Sequence, residues 1–377
     1  MSLLKLGYCS ALPLVWFICV FMLHAHICAC TIIMYSDGAN VLAANNEDSE
    51  MPFTWLSFTP STDSSYGYVS FSYNLPFGFC QGGMNEKGLF IDANALESTG
   101  WIDSPNKQNY AGKVNEIEYS LAHFSSVGEV VGFFETYDMP SLANTKFPVG
   151  DACGRTAVIE WSNHGLETHY QGSGYQISTN FVLANYGSDE IPCYRYRLAD
   201  SILSECTVPT IGDLRNLLDL THIEGETDTY YSAIYDLVNC DIHLYFFHDY
   251  GRVYRFNIKS ELGKGKRSIP VSSLFRPYSN AYRVYAQGYG TKELLNKLET
   301  KGIDSAISLY YAIKKWAGSE VSVFIDAAMV NSLGEAMLQQ GFVDQAKSFF
   351  LFCTKEFPDY EPAQLNLNQI SSKKADH

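Results

Sequence analysis

A cysteine at position 30 closes the segment HAHICAC, and behind it runs TIIMYSDGANVLAANNED, which ends at Asp48. If the chain is cut after Ala29, Cys30 becomes a first residue that carries both a thiol and a free α-amine. An α-amine with a pKa of about 8 takes the thiol proton near neutral pH and later returns it to a leaving amine. The thiolate is the nucleophile, so the chemistry is acyl transfer through a thioester. A carboxylate beside the pair would hold the ammonium form. Asp48 is placed for that role, because a hairpin turning at DGAN, residues 37–40, folds residue 48 back beside residue 30.

The elements in front of Cys30 make the cut plausible. Lys5, the apolar run ALPLVWFICVFML and the small residues of HAHICA read as a signal peptide over residues 1–29. The mature chain is then secreted or periplasmic, and its membrane contact is transient, through the signal alone. The apolar run is too short for a comfortable span. Cys30, Cys80, Cys153, Cys193, Cys206, Cys240 and Cys353 remain, an odd set that leaves one thiol unpaired in an oxidising compartment. Their irregular spacing, with no CxxC, argues against zinc and against a disulfide scaffold.

Composition narrows the class further. A chain of 377 residues with 46% hydrophobic and 14% aromatic content can bury one large core and a smaller appendage. A net charge of -15, spread along the chain, argues against nucleic acid as a partner. The charge serves solubility or steers cationic substrates. His164, His169, His243 and His248 make no metal pair with carboxylates at ligand spacing and read as structural. No GxSxG motif and no P-loop is present, and neither a cofactor nor a metal is expected.

Apolar alternation and turn signals read as strands in CTIIMYSD, VLAANN, GYVSFSY, GLFIDANAL, TAVIEWS, LETHYQG, YQISTNFVLAN, YYSAIYDLV, DIHLYFF and RVYRFNI, with GGMNEKG as a turn. Helical periodicity appears in VNEIEYSLAHF, VGEVVGFFETY, CYRYRLADSILSE and TIGDLRNLLDL, the last with Thr210 as N-cap. Strands in runs with helices grouped between them indicate an α+β layered fold.

At these residues the chain resembles the N-terminal-nucleophile (Ntn) hydrolases that cleave linear amide C-N bonds, the choloylglycine hydrolase and isopenicillin N acyltransferase-like family. CTIIMYSDGANVLAANNED is similar to that family's start, GGMNEKGLFIDANAL to its Asn-Glu-Lys-Gly-Leu strand entry, and YQISTNFVLAN to its Thr-Asn strand. The likeness covers most of residues 30–258. It implies a four-layer αββα sandwich, Cys30 as nucleophile, Asp48 as its support, and Asn180 and Asn94 as oxyanion donors. The activity implied is a hydrolase acting on linear amides, with a small-molecule N-acyl amide as substrate and no cofactor. An amine replacing water as acceptor would make it an acyltransferase. Asn45 stands where the family motif has arginine, and ETDTYYSAIYDL lacks the family's second one. The resemblance therefore predicts the reaction without carrying bile-salt or penicillin specificity.

The expected domains are the hydrolase-like unit at 30–285, a helical connector at 286–326, a tetratricopeptide-like unit at 327–360 and a tail at 361–377. In AAMVNSLGEAMLQQGFVDQAKSFFLFCTKEFPDY, Leu333, Gly334, Met337, Ala346, Phe350, Cys353 and Pro358 fall at that repeat's packing positions. One unit reads either as a helical cap or as a surface for a protein partner. Cys30 also has a rival reading: ICAC is a passable lipobox, and acylating the amine would remove the general base. A secreted lipoprotein or tetratricopeptide scaffold is the corresponding non-catalytic alternative.

Overall fold

A computed structural model describes residues 30–49, 52–73, 76–171, 174–225 and 227–373. The expected signal peptide, residues 1–29, and the last tail residues, 374–377, lie outside the described residues. Thr31–Ser36 (β1) and Val41–Ser49 (β2) form the expected hairpin. Asp37 closes its turn by accepting the backbone N-H groups of Ala39 and Asn40 at 2.9 and 2.7 Å. Thr54–Thr59 (β3), Tyr68–Tyr73 (β4), Cys80–Asn85 (β5), Phe90–Asp92 (β6) and Asn94–Ala95 (β7) follow, then helices Glu116–His123 (α1) and Val127–Thr136 (α2). Thr145–Gly150 (β8), Thr156–Ser162 (β9), Gly165–Gln171 (β10) and Gly174–Ser178 (β11) lead to helices Tyr194–Glu205 (α3) and Ile211–Thr221 (α4). Thr210 caps α4 in a reciprocal capping box with Asp213, as expected. A meander of Asp228–Asp236 (β12), Asp241–Phe246 (β13) and Asp249–Asn257 (β14) comes next, with a short helix, Ile258–Leu262 (α5), and Arg267–Pro270 (β15).

Two antiparallel sheets result. One runs β11-β1-β2-β12-β13-β14, the other β10-β9-β8-β6-β5-β4-β3-β15, with β7 paired to β8 beside it. Alternation along the strands sorts their side chains into three layers. Ile32, Met34, Val41 and Ala43 meet Leu56, Phe58, Val69 and Phe71 between the sheets. Ile33, Leu42, Ala44 and Ile234 point outward under Leu203, Leu214 and Leu218 of α3 and α4. Ile91, Phe147 and Ile159 lie under Ile117, Leu121, Val130 and Phe134 of α1 and α2. The order is helices, sheet, sheet, helices: the αββα sandwich that the resemblance implied.

Helices Asn280–Lys301 (α6), Ile303–Ala317 (α7), Ala327–Gln339 (α8), Val343–Glu356 (α9) and Glu361–Lys373 (α10) complete the chain. Their apolar faces extend the inter-sheet core, Tyr282 meeting Phe246 at a ring distance of 4.8 Å. At Gly334 a Cβ would come within 2.6 Å of the Phe350 ring, so the missing side chain lets α8 and α9 close on each other. Among the described residues no single helix is long and apolar enough to cross a membrane.

Two local expectations are corrected, and one strand was not expected. GGMN is the end of β5 and not a turn. Both glycines are there for room: a Cβ on Gly83 would lie 2.1 Å from the Val69 carbonyl oxygen, and one on Gly82 2.5 Å from Oδ1 of Asp92. TKFPVG is the interior strand β8, unread because Pro148 brings no N-H to a ladder. The strand predicted over YQISTNFVLAN stops at Ser178, which leaves Asn180 in the loop beyond it.

Candidate active site

The register of β1 on β2 pairs Thr31 with Asn46, which sets Cys30 against Glu47. Alternation then divides the Asn-Asn-Glu-Asp cluster between two faces of the sheet. Asn45 and Glu47 face the inter-sheet space with Cys30, whose Sγ lies 3.5 Å from Oε2 of Glu47. Asn46 and Asp48 face the helices, Asn46 donating to the Leu218 carbonyl at 2.9 Å. The carboxyl that meets the thiol is therefore that of Glu47, and Asp48 lies on the other side of the strand.

Asp48 is fully buried. Its Oδ1 accepts the hydroxyl of Thr229, its ladder partner on β12, and its Oδ2 has no hydrogen-bond partner. Burial pushes its pKa up to about 8, against the pull of the Thr229 hydroxyl and of Arg195.

Arg195 is the residue the sequence reading missed. It stands in the first turn of α3, where the helix dipole disfavours a cation. That misplacement was the signal that the guanidinium is wanted for its partners. Nη1 donates to the Cys30 carbonyl at 2.8 Å and to Oγ1 of Thr31 at 2.6 Å, and Nη2 donates to Oδ1 of Asn180 at 3.2 Å. Its Nη1 is 4.0 Å from Oδ2 of Asp48. The site has an arginine after all, supplied by a helix instead of the motif strand.

The two predicted asparagines come to the same place but are turned to backbone. Nδ2 of Asn94 donates to the Cys30 carbonyl at 3.4 Å while its Oδ1 accepts the Ser178 hydroxyl at 2.6 Å. Nδ2 of Asn180 donates to the Ala95 carbonyl at 2.8 Å. The loop carrying Asn180 is pinned from below by a buried ion pair. Nζ of Lys146 donates to the Phe181 carbonyl at 2.6 Å and lies 3.8 Å from Glu160, which accepts the N-H groups of Leu183 and Ala184 and holds His169 at 2.9 Å. Burial lowers the Lys146 pKa to about 8, with Glu160 opposing.

Cys30 borders a cavity of about 180 Å³. Phe79, Ala93, Ala95, Ile117 and Phe147 give it apolar walls, while Glu47, Glu116, Tyr73, Gln81, Ser141 and Thr145 supply the polar groups. No lysine or arginine is among these residues. Behind Glu47, Nδ2 of Asn45 bridges Oε1 of Glu47 at 3.0 Å and Oδ2 of Asp92 at 2.8 Å. Burial, then the neighbouring Asp92 and Asp48, hold Glu47 well above the usual carboxylate range, and burial brings Asp92 to about 7. Gly82 makes the room that Asp92 occupies. Glu97 and Ser98 line a separate cleft of about 280 Å³ with Asn180. Cys80, Cys153, Cys193, Cys206, Cys240 and Cys353 carry free thiols, so the pairing expected of an oxidising compartment is not seen among these described residues.

No family model matches the sequence, and no curated protein does either. Solved structures match the fold. A mutant of conjugated bile acid hydrolase from Clostridium perfringens superposes with a TM-score of 0.50 at 14% identity, covering 67% of this chain and 97% of that one. A second variant of that hydrolase gives 0.49 at 14% identity, over 64% and 96% of the two chains. Penicillin V acylase from Agrobacterium tumefaciens gives 0.47 at 16%, over 66% and 89%. The first of these shows the chain to have the Ntn-hydrolase sandwich fold.

Proposed function

We propose that this Ntn-fold protein is a secreted amidohydrolase that cleaves a linear amide through a thioester on Cys30, once the chain has been cut before that residue. One observation carries the reading. Just before β1 a cavity-lining thiol sits across the strand from a buried carboxyl, that of Asp48, whose Oδ2 has no hydrogen-bond partner. A cut before Cys30 would give that oxygen an ammonium to hold.

The α-amine takes the thiol proton and the thiolate attacks the substrate carbonyl. The C-N bond then breaks as the ammonium returns the proton to the leaving amine. Water, deprotonated by the same amine, hydrolyses the thioester and releases the acid. An oxyanion donor has to exchange a backbone carbonyl for the substrate oxygen. Asn94 gives up a bond of 3.4 Å, a smaller loss than the 2.8 Å bond of Asn180. Arg195 and Asp48 position the nucleophile and do not touch substrate. With no lysine or arginine among its described lining residues, the cavity favours neutral acyl groups over anionic ones.

A panel of N-acyl amides differing only in the charge of the acyl group, given to the wild type and to Cys30→Ala, tests both parts. Turnover of neutral members that vanishes in Cys30→Ala supports the reading. Undiminished turnover in that variant removes the nucleophile, and a preference for anionic acyl groups removes the assignment of the cavity.

A further inference from the structure

Away from Cys30, His248 converges in space on His222 and Glu224, more than twenty residues before it in sequence. His222 follows the last turn of α4, Glu224 lies two residues on, and His248 occupies the turn between β13 and β14. Their ligand atoms all lie within 4.8 Å of one another. Nδ1 of His222 bonds the Asp219 carbonyl, which can only accept, so Nδ1 carries the proton. Nε2 is then the atom turned to Oε1 of Glu224 at 3.1 Å. Nδ1 of His248 approaches the same oxygen at 3.9 Å, with the two rings 4.6 Å apart. A bare imidazole nitrogen facing a carboxylate oxygen is repulsive unless a proton or a metal ion lies between them. One proton answers one nitrogen, whereas a metal ion answers all three atoms together. A histidine whose second N-H is fixed on a backbone carbonyl is also the usual form of a metal-bound imidazole.

The turn supports the same conclusion. Phe247 and His248 have φ values of 46° and 61°, in a two-residue hairpin turn that ordinarily takes Asn and Gly. Bulky residues are disfavoured there, and this backbone brings the His248 ring onto His222. The expectation that His248 is a structural histidine considered only ligands near it in sequence. Its partners come from the far end of α4.

We propose that His222, Glu224 and His248 bind one divalent transition-metal ion. Two imidazoles and one carboxylate suit zinc, with water as fourth ligand from the adjoining cleft of about 450 Å³ bordered by Glu224 and Asp228. The ion clips the loop after α4 to the β13-β14 turn. That loop is tied to the nucleophile's support: Ile223 N-H donates to Oγ1 of Thr229 at 2.9 Å, and the Thr229 hydroxyl donates to Asp48. Metal binding therefore stiffens the segment that holds Asp48.

The test is zinc and cobalt titration of chelator-stripped protein carrying Cys30→Ala and Cys153→Ser, which takes the cavity thiol and the exposed thiol out of the measurement. Saturable one-to-one binding, a rise in melting temperature with zinc, and cobalt d-d bands without a thiolate charge-transfer band are expected. His248→Ala and Glu224→Gln, checked for native circular dichroism, should each weaken binding at least tenfold, on the scale of lost metal ligands and their supports. No saturable binding up to millimolar zinc overturns the proposal. So does binding that survives a His222→Ala/His248→Ala pair unchanged.

Discussion

Oδ2 of Asp48 lies 4.0 Å from Nη1 of Arg195, beyond hydrogen-bond range, and the guanidinium spends its donors on Cys30, Thr31 and Asn180 instead. A buried carboxyl so weakly compensated keeps its proton. Asp48 is pushed from 3.8 to about 8 and Asp92 from 3.8 to about 7. The folded chain then binds protons that the unfolded chain releases. Stability from these groups is full below about pH 3.8 and is lost as pH rises toward 7 to 8, at about 1.4 kcal/mol per pH unit for each proton held.

Urea midpoints of the uncut chain between pH 4 and 8 should show this decline, and Asp48→Asn should reduce it. A chain that begins at Cys30 should also decline less, because its ammonium lowers the pKa of Asp48. Equal profiles for all three proteins would contradict the role given to Asp48.

Arg195→Lys keeps the charge but loses the fork that reaches Cys30, Thr31 and Asn180 at once. Folding should be retained, while kcat falls on the order of 100-fold and KM changes little, since geometry and not substrate contact is lost. A rise in KM at constant kcat would mean that Arg195 binds substrate.

How far the sequence reached follows from which forces are local. The β1-β2 hairpin, the Thr210 capping box and the helices are written in neighbouring residues, and they form as expected. What was lost is tertiary. Which of Glu47 and Asp48 faces the thiol depends on register, since one residue's shift exchanges the two faces of a strand. Arg195 reaches Cys30 only through the packing of α3 on the first sheet. Strand β8 hides behind Pro148, and Asn180 leaves its strand because Lys146 and Glu160 hold the next residues in a loop.

That ion pair gives another test. Both side chains are fully buried. Lys146→Met leaves Glu160 without its cation and should cost about 3 to 5 kcal/mol in unfolding free energy, with a loss of activity because the Asn180 loop is freed. Adding Glu160→Gln, which removes the unpaired charge and keeps an acceptor for the Leu183 and Ala184 N-H groups, should recover much of the stability without recovering activity. A single variant as stable as wild type would show that the pair does not hold the loop.

Gly82→Ala places a methyl group 2.5 Å from Oδ1 of Asp92, and Gly128→Ala in α2 meets nothing within 4 Å. The first should destabilise by about 1 to 3 kcal/mol through overpacking. The second should stabilise by roughly 0.5 to 1 kcal/mol through helix propensity. Denaturant melts of the two proteins side by side separate the packing effect from the backbone effect.

The most direct measurement is mass spectrometry of the protein quenched in acid during turnover of an accepted N-acyl amide. The expected result is a terminal peptide that begins at Cys30, carries the acyl mass on its thiol and has a free α-amine, with no such species in Cys30→Ala. A terminal peptide that runs through Ala29, a Cys30 that never carries the acyl group, or an adduct that persists in Cys30→Ala would contradict an N-terminal thiol nucleophile.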